Sequence, residues 1–194
     1  GREFEQKSAS KVGIITNGFD PEDFKNLGNQ LTGKFEILHI GSMNKDRNPV
    51  LLWESLKELL DENVSFSEHL NITFIGQTDF AVLEELGKNA LIGYLNNFPY
   101  KPHDELMNEA TKANLLLLPL NDTPNVKGIT PGKLFEYLAL KKPIFCIGAE
   151  DGDSARIINE CVAGVVVDFA DKEKMKIELR KIYQEFIEGK LPEV

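Results

Sequence analysis

The sequence predicts an α/β protein built on a doubly wound, mainly parallel sheet with helices on both faces. Three observations lead there. Short β-type runs alternate with helical runs along the chain, and such alternation requires parallel pairing through right-handed crossovers. Residues 113–120, with Leu115-Leu116-Leu117-Leu118 at their centre, are continuously apolar, as in a strand buried on both faces. A strand-loop-helix unit can be read in full: residues 35–40 end abruptly at Gly41-Ser42, a polar loop carries Lys45, Asp46 and Arg47, and Asn48-Pro49 opens a helix whose Leu52, Leu56, Leu59 and Leu60 share one face.

In order, residues 11–16 form the first predicted strand, followed by a turn at Asn17-Gly18-Phe19-Asp20-Pro21. The second strand is 35–40. Residues 70–76 are a third strand and 79–87 a helix, 89–94 a fourth strand and 103–112 a helix, and 113–120 the fifth strand. A long loop, 121–129, leads into a helix opening at Pro131. Residues 143–147 are a sixth strand, 153–161 a helix, 163–167 a seventh strand, and 171–188 a long amphipathic helix. Residues 1–10 have no pattern of their own.

With 194 residues, 42% of them hydrophobic, the chain can bury the core of one domain or a tight pair. Lys and Arg number 22 against 31 Asp and Glu, for a net charge of −9 without a basic cluster, which argues against nucleic-acid binding and against an electrostatic membrane patch. Cys146 and Cys161 make no metal spacing and read as reduced core thiols of a cytoplasmic protein. No apolar run approaches the ~20 residues of a membrane span.

The stretch from Gly128 to Leu140 carries the chemistry. Thr130 is a good N-cap and Pro131 a good first helical residue, since proline lacks the N–H that would be unpaired there. Gly132, Lys133 and Glu136 fall in one polar sector, while Leu134, Phe135, Tyr137, Leu138 and Ala139 fill most of the rest. A helix start with a glycine admits a phosphate close to the main chain. Glu136, one turn on, is placed to accept hydrogen bonds from the hydroxyls of a ribose. In a doubly wound sheet, ligands sit where strand-exit loops such as 41–48 and 121–129 converge.

Taken together, Asn17-Gly18-Phe19-Asp20, Ile40-Gly41-Ser42, Gly93-Tyr94, the run Pro131-Gly132-Lys133-Leu134-Phe135-Glu136-Tyr137-Leu138 and Lys142-Pro143-Ile144 resemble, in order and spacing from about Lys11 onward, the C-terminal, donor-binding half of family 4 (group 1) GT-B glycosyltransferases. The resemblance implies a Rossmann-like donor domain over 11–194. Its backbone at Gly132, Lys133 and Leu134, with Thr130 at the cap, would hold the diphosphate of a UDP- or GDP-sugar. Glu136 would hold the ribose, Gly41 and Ser42 would line the phosphate side, and Tyr94 and Leu95 would lie near the nucleobase. Arg47 would be the catalytic cation that neutralises the leaving diphosphate.

It further implies retention of anomeric configuration and no cofactor or required metal. Two departures stand out: Gly128 occupies the position where the family often has a glutamate eight residues before Glu136, and Ser42 the position of a basic residue after the strand-end glycine. The positive charge then falls to Arg47 or Lys45. Because the family's enzymes have two such domains, the chain reads as a fragment. A missing N-terminal domain would bind the acceptor glycan or lipid-linked glycan of a polysaccharide-building reaction, and residues 1–10 would be the interdomain connection or an expression remnant. Localisation is expected to be cytoplasmic, with membrane association open for the full-length protein. Alternative readings are a sugar-nucleotide epimerase of GT-B shape and a non-catalytic flavodoxin-like binding module.

Other conspicuous residues have simpler accounts. Asp151-Gly152-Asp153 matches a metal-binding Asp-x-Asp pattern but reads as a turn plus N-cap. His39 and His103 read as structural, Trp53 and Phe135 as core, and Lys141-Lys142 as a solvated helix end.

Overall fold

The computed structural model describes residues 18–24 and 32–191. The predicted connection at 1–10 and the predicted strand at 11–16 lie outside them. Among the described residues six strands, β1 (Phe35–Ile40), β2 (Leu70–Ile75), β3 (Leu95–Phe98), β4 (Leu115–Pro119), β5 (Ile144–Ile147) and β6 (Gly164–Val167), make one parallel sheet in the order β3-β2-β1-β4-β5-β6. Among the described residues there are seven α-helices: α1 (Val50–Glu62), α2 (Val64–His69), α3 (Phe80–Lys88), α4 (His103–Ala110), α5 (Lys133–Ala139), α6 (Asp153–Glu160) and α7 (Lys172–Ile187). None is long and apolar enough to cross a membrane.

Strand residues alternate between two cores, as the period of 2 dictates. Phe35, Ile37, Phe74 and Leu117 face α1, α2, α3 and α7, burying Trp53, Phe66 and Tyr183 with them. Leu38, Ile40, Leu116 and Cys146 face α4, α5 and α6, around Tyr137 and Ile158. The chain winds outward from β1 on one face and outward from β4 on the other. Its direction therefore reverses between β1 and β4, the switch point of the sheet.

Among the described residues, side-chain caps open three of the seven α-helices. Asp79 Oδ1 accepts from the Ala81 N–H at 2.9 Å, and Asp171 Oδ1 from the Lys174 N–H at 2.9 Å, so both aspartates precede their helices instead of opening them. Asn48 does not cap α1; its Oδ1 accepts from Trp53 Nε1 at 2.7 Å, which pins the indole in the core.

The fourth predicted strand is displaced, because residues 89–94 close α3. Ala90 is left-handed (φ 55°), the Leu91 N–H reaches Leu86 O at 2.8 Å, and Leu91 is buried as the hydrophobic plug of this helix end. A 3-10 turn, Ile92–Tyr94, follows before β3 begins at Leu95. Cys161 is also corrected: it lies at the exposed end of α6, whereas Cys146 is buried in β5.

Candidate functional site at the switch point of the sheet

Beyond Ile37↔Leu115 and Leu38↔Leu116, β1 and β4 no longer pair, and side chains bridge the opening. From α5, Lys133 Nζ donates to Ile40 O at 2.6 Å, and Tyr137 Oη accepts from the Ile40 N–H at 3.0 Å. One turn of helix therefore holds both polar groups of a single residue at the end of β1. From the other face, fully buried His39 places Nδ1 3.0 Å from Leu117 O, so Nδ1 carries the proton. Among the described residues, its Nε2 is buried without a hydrogen-bond partner. Burial first, then the charge of Lys133, lowers the His39 pKa to about 3 against the opposing pull of the Leu117 carbonyl, so the ring is neutral at pH 7.

Two glycines make the turn out of the sheet possible. Gly41 has φ 102°, and a Cβ there would stand 2.7 Å from Lys133 Nζ. Gly76, at the end of β2 with φ 140°, packs against Gly41 so closely that a Cβ would meet Gly41 O at 2.5 Å. The loop after Gly41 then brings Arg47 across to the β4 exit. There its Nε donates to Asn121 Oδ1 at 2.9 Å and its Nη1 to Ser42 O at 3.3 Å.

Arg47, Asn121 and Lys133 are the polar members of a cleft of about 230 Å³, walled by Leu120, Ile129 and Pro131. Its volume is below the ~300–1,000 Å³ of complete ligand pockets. Among the described residues neither cation forms an ion pair with a carboxylate. Burial, and secondarily the Arg47 charge, lowers the Lys133 pKa to about 8, with Glu136 pulling the other way. The lysine is thus still cationic at neutral pH.

Of the sequence-predicted residues, Arg47 and Lys133 line this cleft, with Gly41 against the Lys133 side chain and Ser42 O bonded to Arg47. Helix α5 corrects the rest. It begins at Lys133, not Pro131, because the chain enters through i→i+3 bonds: the Leu134 N–H to Pro131 O at 3.0 Å and the Phe135 N–H to Gly132 O at 3.1 Å. Thr130 is therefore no cap, Gly132 stands at the N-cap, and the Leu134 N–H is already occupied while its side chain lies in the core. Phe135 is only half-buried and belongs to neither core. Glu136 is half-buried, and among the described residues its carboxylate has no hydrogen-bond partner.

Tyr94 and Leu95 are not brought to the site. Tyr94 precedes β3 and Leu95 opens it, and both pack against the core on the amino edge of the sheet; Phe98, which aligns with Ile75 and hence with Ile40, marks the carboxyl edge, and exposed Tyr100 follows it. The loop 121–132 is anchored by Ser154 Oγ donating to Ile129 O at 2.7 Å and by Lys127 pairing with Asp151 at 2.6 Å. Asp151 thus serves that loop, Asp153 opens α6 behind Gly152, and no cluster of three or more potential metal ligands occurs among the described residues.

Sequence reasoning missed the hold of Lys133 on Ile40, the bridging by His39 and Tyr137, and Asn121. The spacing of Lys133 and Tyr137, one turn apart, could have shown that they share a face. Nothing local could have named Ile40 as their common target.

A sheet of this order with ligand-accessible loops at its switch point places the chain in the doubly wound α/β class. More specifically, it has the fold of a C-terminal domain of a GT-B glycosyltransferase. It superimposes on WaaG, a glycosyltransferase involved in lipopolysaccharide biosynthesis, with a TM-score of 0.71 and 15% identity over 96% of this chain and 52% of that one. The C-terminal domain of the group 1 glycosyl transferase LpcC from Francisella tularensis matches with a TM-score of 0.62 and 14% identity over 88% of this chain and 90% of that domain. TarM of S. aureus, in complex with UDP and other ligands, matches with a TM-score of 0.67 and 10% identity over 98% of this chain and 36% of that one. The chain spans about half of WaaG and less of TarM. In sequence it matches no protein-family model and no curated protein.

Proposed function

We propose that this chain is the donor-binding domain of a glycosyltransferase, taking a nucleoside-diphosphate sugar at the carboxyl edge of the sheet while a second domain holds an acceptor glycan or lipid-linked glycan. The observation that carries this reading is the convergence of Arg47 and Lys133, without a carboxylate partner among the described residues, on one cleft at the switch point. Two such cations suit a diphosphate. As the bond between the anomeric carbon and the diphosphate oxygen breaks, negative charge grows on that oxygen, and a preorganised guanidinium stabilises it without a metal. Arg47 fits this catalytic role because Asn121 and the Ser42 carbonyl fix its plane.

In this reading Gly41 and Ser42 border the phosphates, and Glu136, free to accept, takes the ribose hydroxyls. The base lies toward the end of β3, beside Phe98 and Tyr100, instead of at Tyr94 and Leu95. Likeness to the C-terminal domain of LpcC supports the assignment to the donor side, and retention is expected of the whole enzyme. The test is ligand-observed NMR with UDP and GDP at millimolar concentration. Saturation transfer to either nucleotide supports the reading, and no transfer to any nucleoside diphosphate overturns it.

A further inference from the structure

At the amino edge of the sheet, remote from the switch point, α1, α2 and α7 enclose a pocket of about 300 Å³. We propose that it binds a single neutral pyranose unit of a glycan. Helix α1 leaves the switch point at Val50 and ends at Glu62, so its 13 residues carry the pocket ~20 Å away from Arg47. The proposal therefore goes beyond the donor-binding reading and does not depend on it.

The floor of the pocket is apolar and stiff. Leu59, Phe66 and Tyr183 form it, the two rings meeting edge to face with centroids 4.8 Å apart, and Tyr183 Oη lies 2.9 Å from both Ser65 Oγ and His69 Nδ1. The rim is polar, and its groups are held in place with hydrogen-bonding capacity left over. Asn63 closes α1 through its N–H on Leu59 O at 3.0 Å and caps α2 by accepting from the Phe66 N–H at 3.2 Å. With Oδ1 so engaged, the Asn63 amino group has no partner among the described residues and keeps both of its donors. From α7, Gln184 Nε2 donates to Glu188 Oε1 at 2.8 Å, which leaves Gln184 Oε1 as an acceptor. Arg180 spends one N–H on Glu62 Oε2 at 2.6 Å and retains the others.

Donors and acceptors thus surround an apolar floor, which is what a sugar ring requires: its C–H face is apolar, and each hydroxyl both donates and accepts. Glu62 and Arg180 already neutralise one another. An anionic ligand would compete with Glu62 for the guanidinium and a cationic one with Arg180 for the carboxylate, whereas a neutral polyol leaves the pair intact. The volume stands at the lower end of the ~300–1,000 Å³ of ligand pockets, the scale of one ring. In an enzyme that builds a glycan, a hold this far from the reaction raises the local concentration of the chain without occupying the transfer site.

The test titrates the methyl glycosides of glucose, galactose, mannose and N-acetylglucosamine, at millimolar concentration, into isotope-labelled protein followed by NMR, with inorganic phosphate as the ionic probe and UDP in a separate titration. At least one glycoside is expected to shift the side-chain amide signals of Asn63 and Gln184 while the backbone signals of Gly41 and Lys133 stay in place. Gln184→Leu and Arg180→Met should each weaken that glycoside roughly three- to tenfold, the range of one hydrogen bond, with melting temperatures close to the wild type's. Absence of any glycoside shift at Asn63 and Gln184 overturns the proposal, as do undiminished glycoside binding in both variants and shifts confined to the switch point. Phosphate moving the same amide signals as strongly as the glycosides would mark an anion site and overturn it too. UDP binding, or its absence, bears on the donor-binding reading alone, so the two readings fail separately.

Discussion

At the scale of the residue, Ile40 is the point on which the site turns. Its carbonyl is held by Lys133 and its N–H by Tyr137, from positions 93 and 97 residues away in sequence. Burial also raises the Tyr137 pKa, so the hydroxyl stays neutral and keeps its own proton while accepting from Ile40. Tyr137→Phe keeps the ring but strands a buried N–H, and should cost about 1–3 kcal/mol. Urea denaturation checks this; a loss well under 1 kcal/mol would show that Ile40 finds another partner. Local sequence shows a cap-like threonine, a proline, a glycine and a lysine in series, and this much of the site can be read from it. Which backbone atom a lysine tip meets depends on how β1 and α5 are superposed in space, and no window of the chain contains both.

At the scale of the element, α7 is tied to α1 by a matched row of charges. Lys172 bonds Glu54 and Glu58 at 2.8 Å each, Lys176 bonds Glu58 at 2.6 Å and Glu62 at 2.7 Å, and Arg180 bonds Glu62 at 2.6 Å. Both rows step by four residues, so the pairs recur only when the helices lie in one register. Singly, exposed pairs of this kind are weak. Hydrogen bonds from Lys172 and then Lys176 lower the Glu58 pKa from 4.5 to about 2. A depressed carboxylate pKa adds stability that is complete above the unfolded value and lost as the pH falls through the folded one.

Urea midpoints measured between pH 6 and pH 2 should therefore fall more steeply for the wild type than for Glu58→Gln across the window from 4.5 to 2, with the two curves converging at the acid end. Parallel curves would exclude Glu58 as a source of acid sensitivity. The strands behind this helix pair were legible from their alternation and apolar runs. The displaced β3 was not: Leu91-Ile92 has the composition of a strand, but it follows a left-handed Ala90 that closes α3, and a non-glycine residue in that conformation leaves little trace in sequence.

At the scale of the whole molecule, the parallel sheet with helices on both faces follows from a pattern readable along the chain, whereas in the proposed reading the chemistry depends on a surface that a second domain completes. Near-attack positioning of donor and acceptor, worth ~7–11 kcal/mol in favourable cases, needs both walls of a cleft. The isolated chain should bind nucleotide without transferring sugar, and the two-domain enzyme should turn over equally well with and without EDTA. Turnover abolished by the chelator and restored by manganese would refute the assignment of charge stabilisation to Arg47.

The sheet has one weak seam. Six residues of β1 are registered with β2, but only two pairs join β1 to β4, so the domain is two three-stranded blocks stitched at the switch point by His39 and Tyr137. Arg47 belongs to one block and Lys133 to the other. A dianion held by both would act as a cross-brace over the seam, and the nucleotide would then be a structural member of the protein as well as its cargo, tightening the joint each time it docks and loosening it on departure.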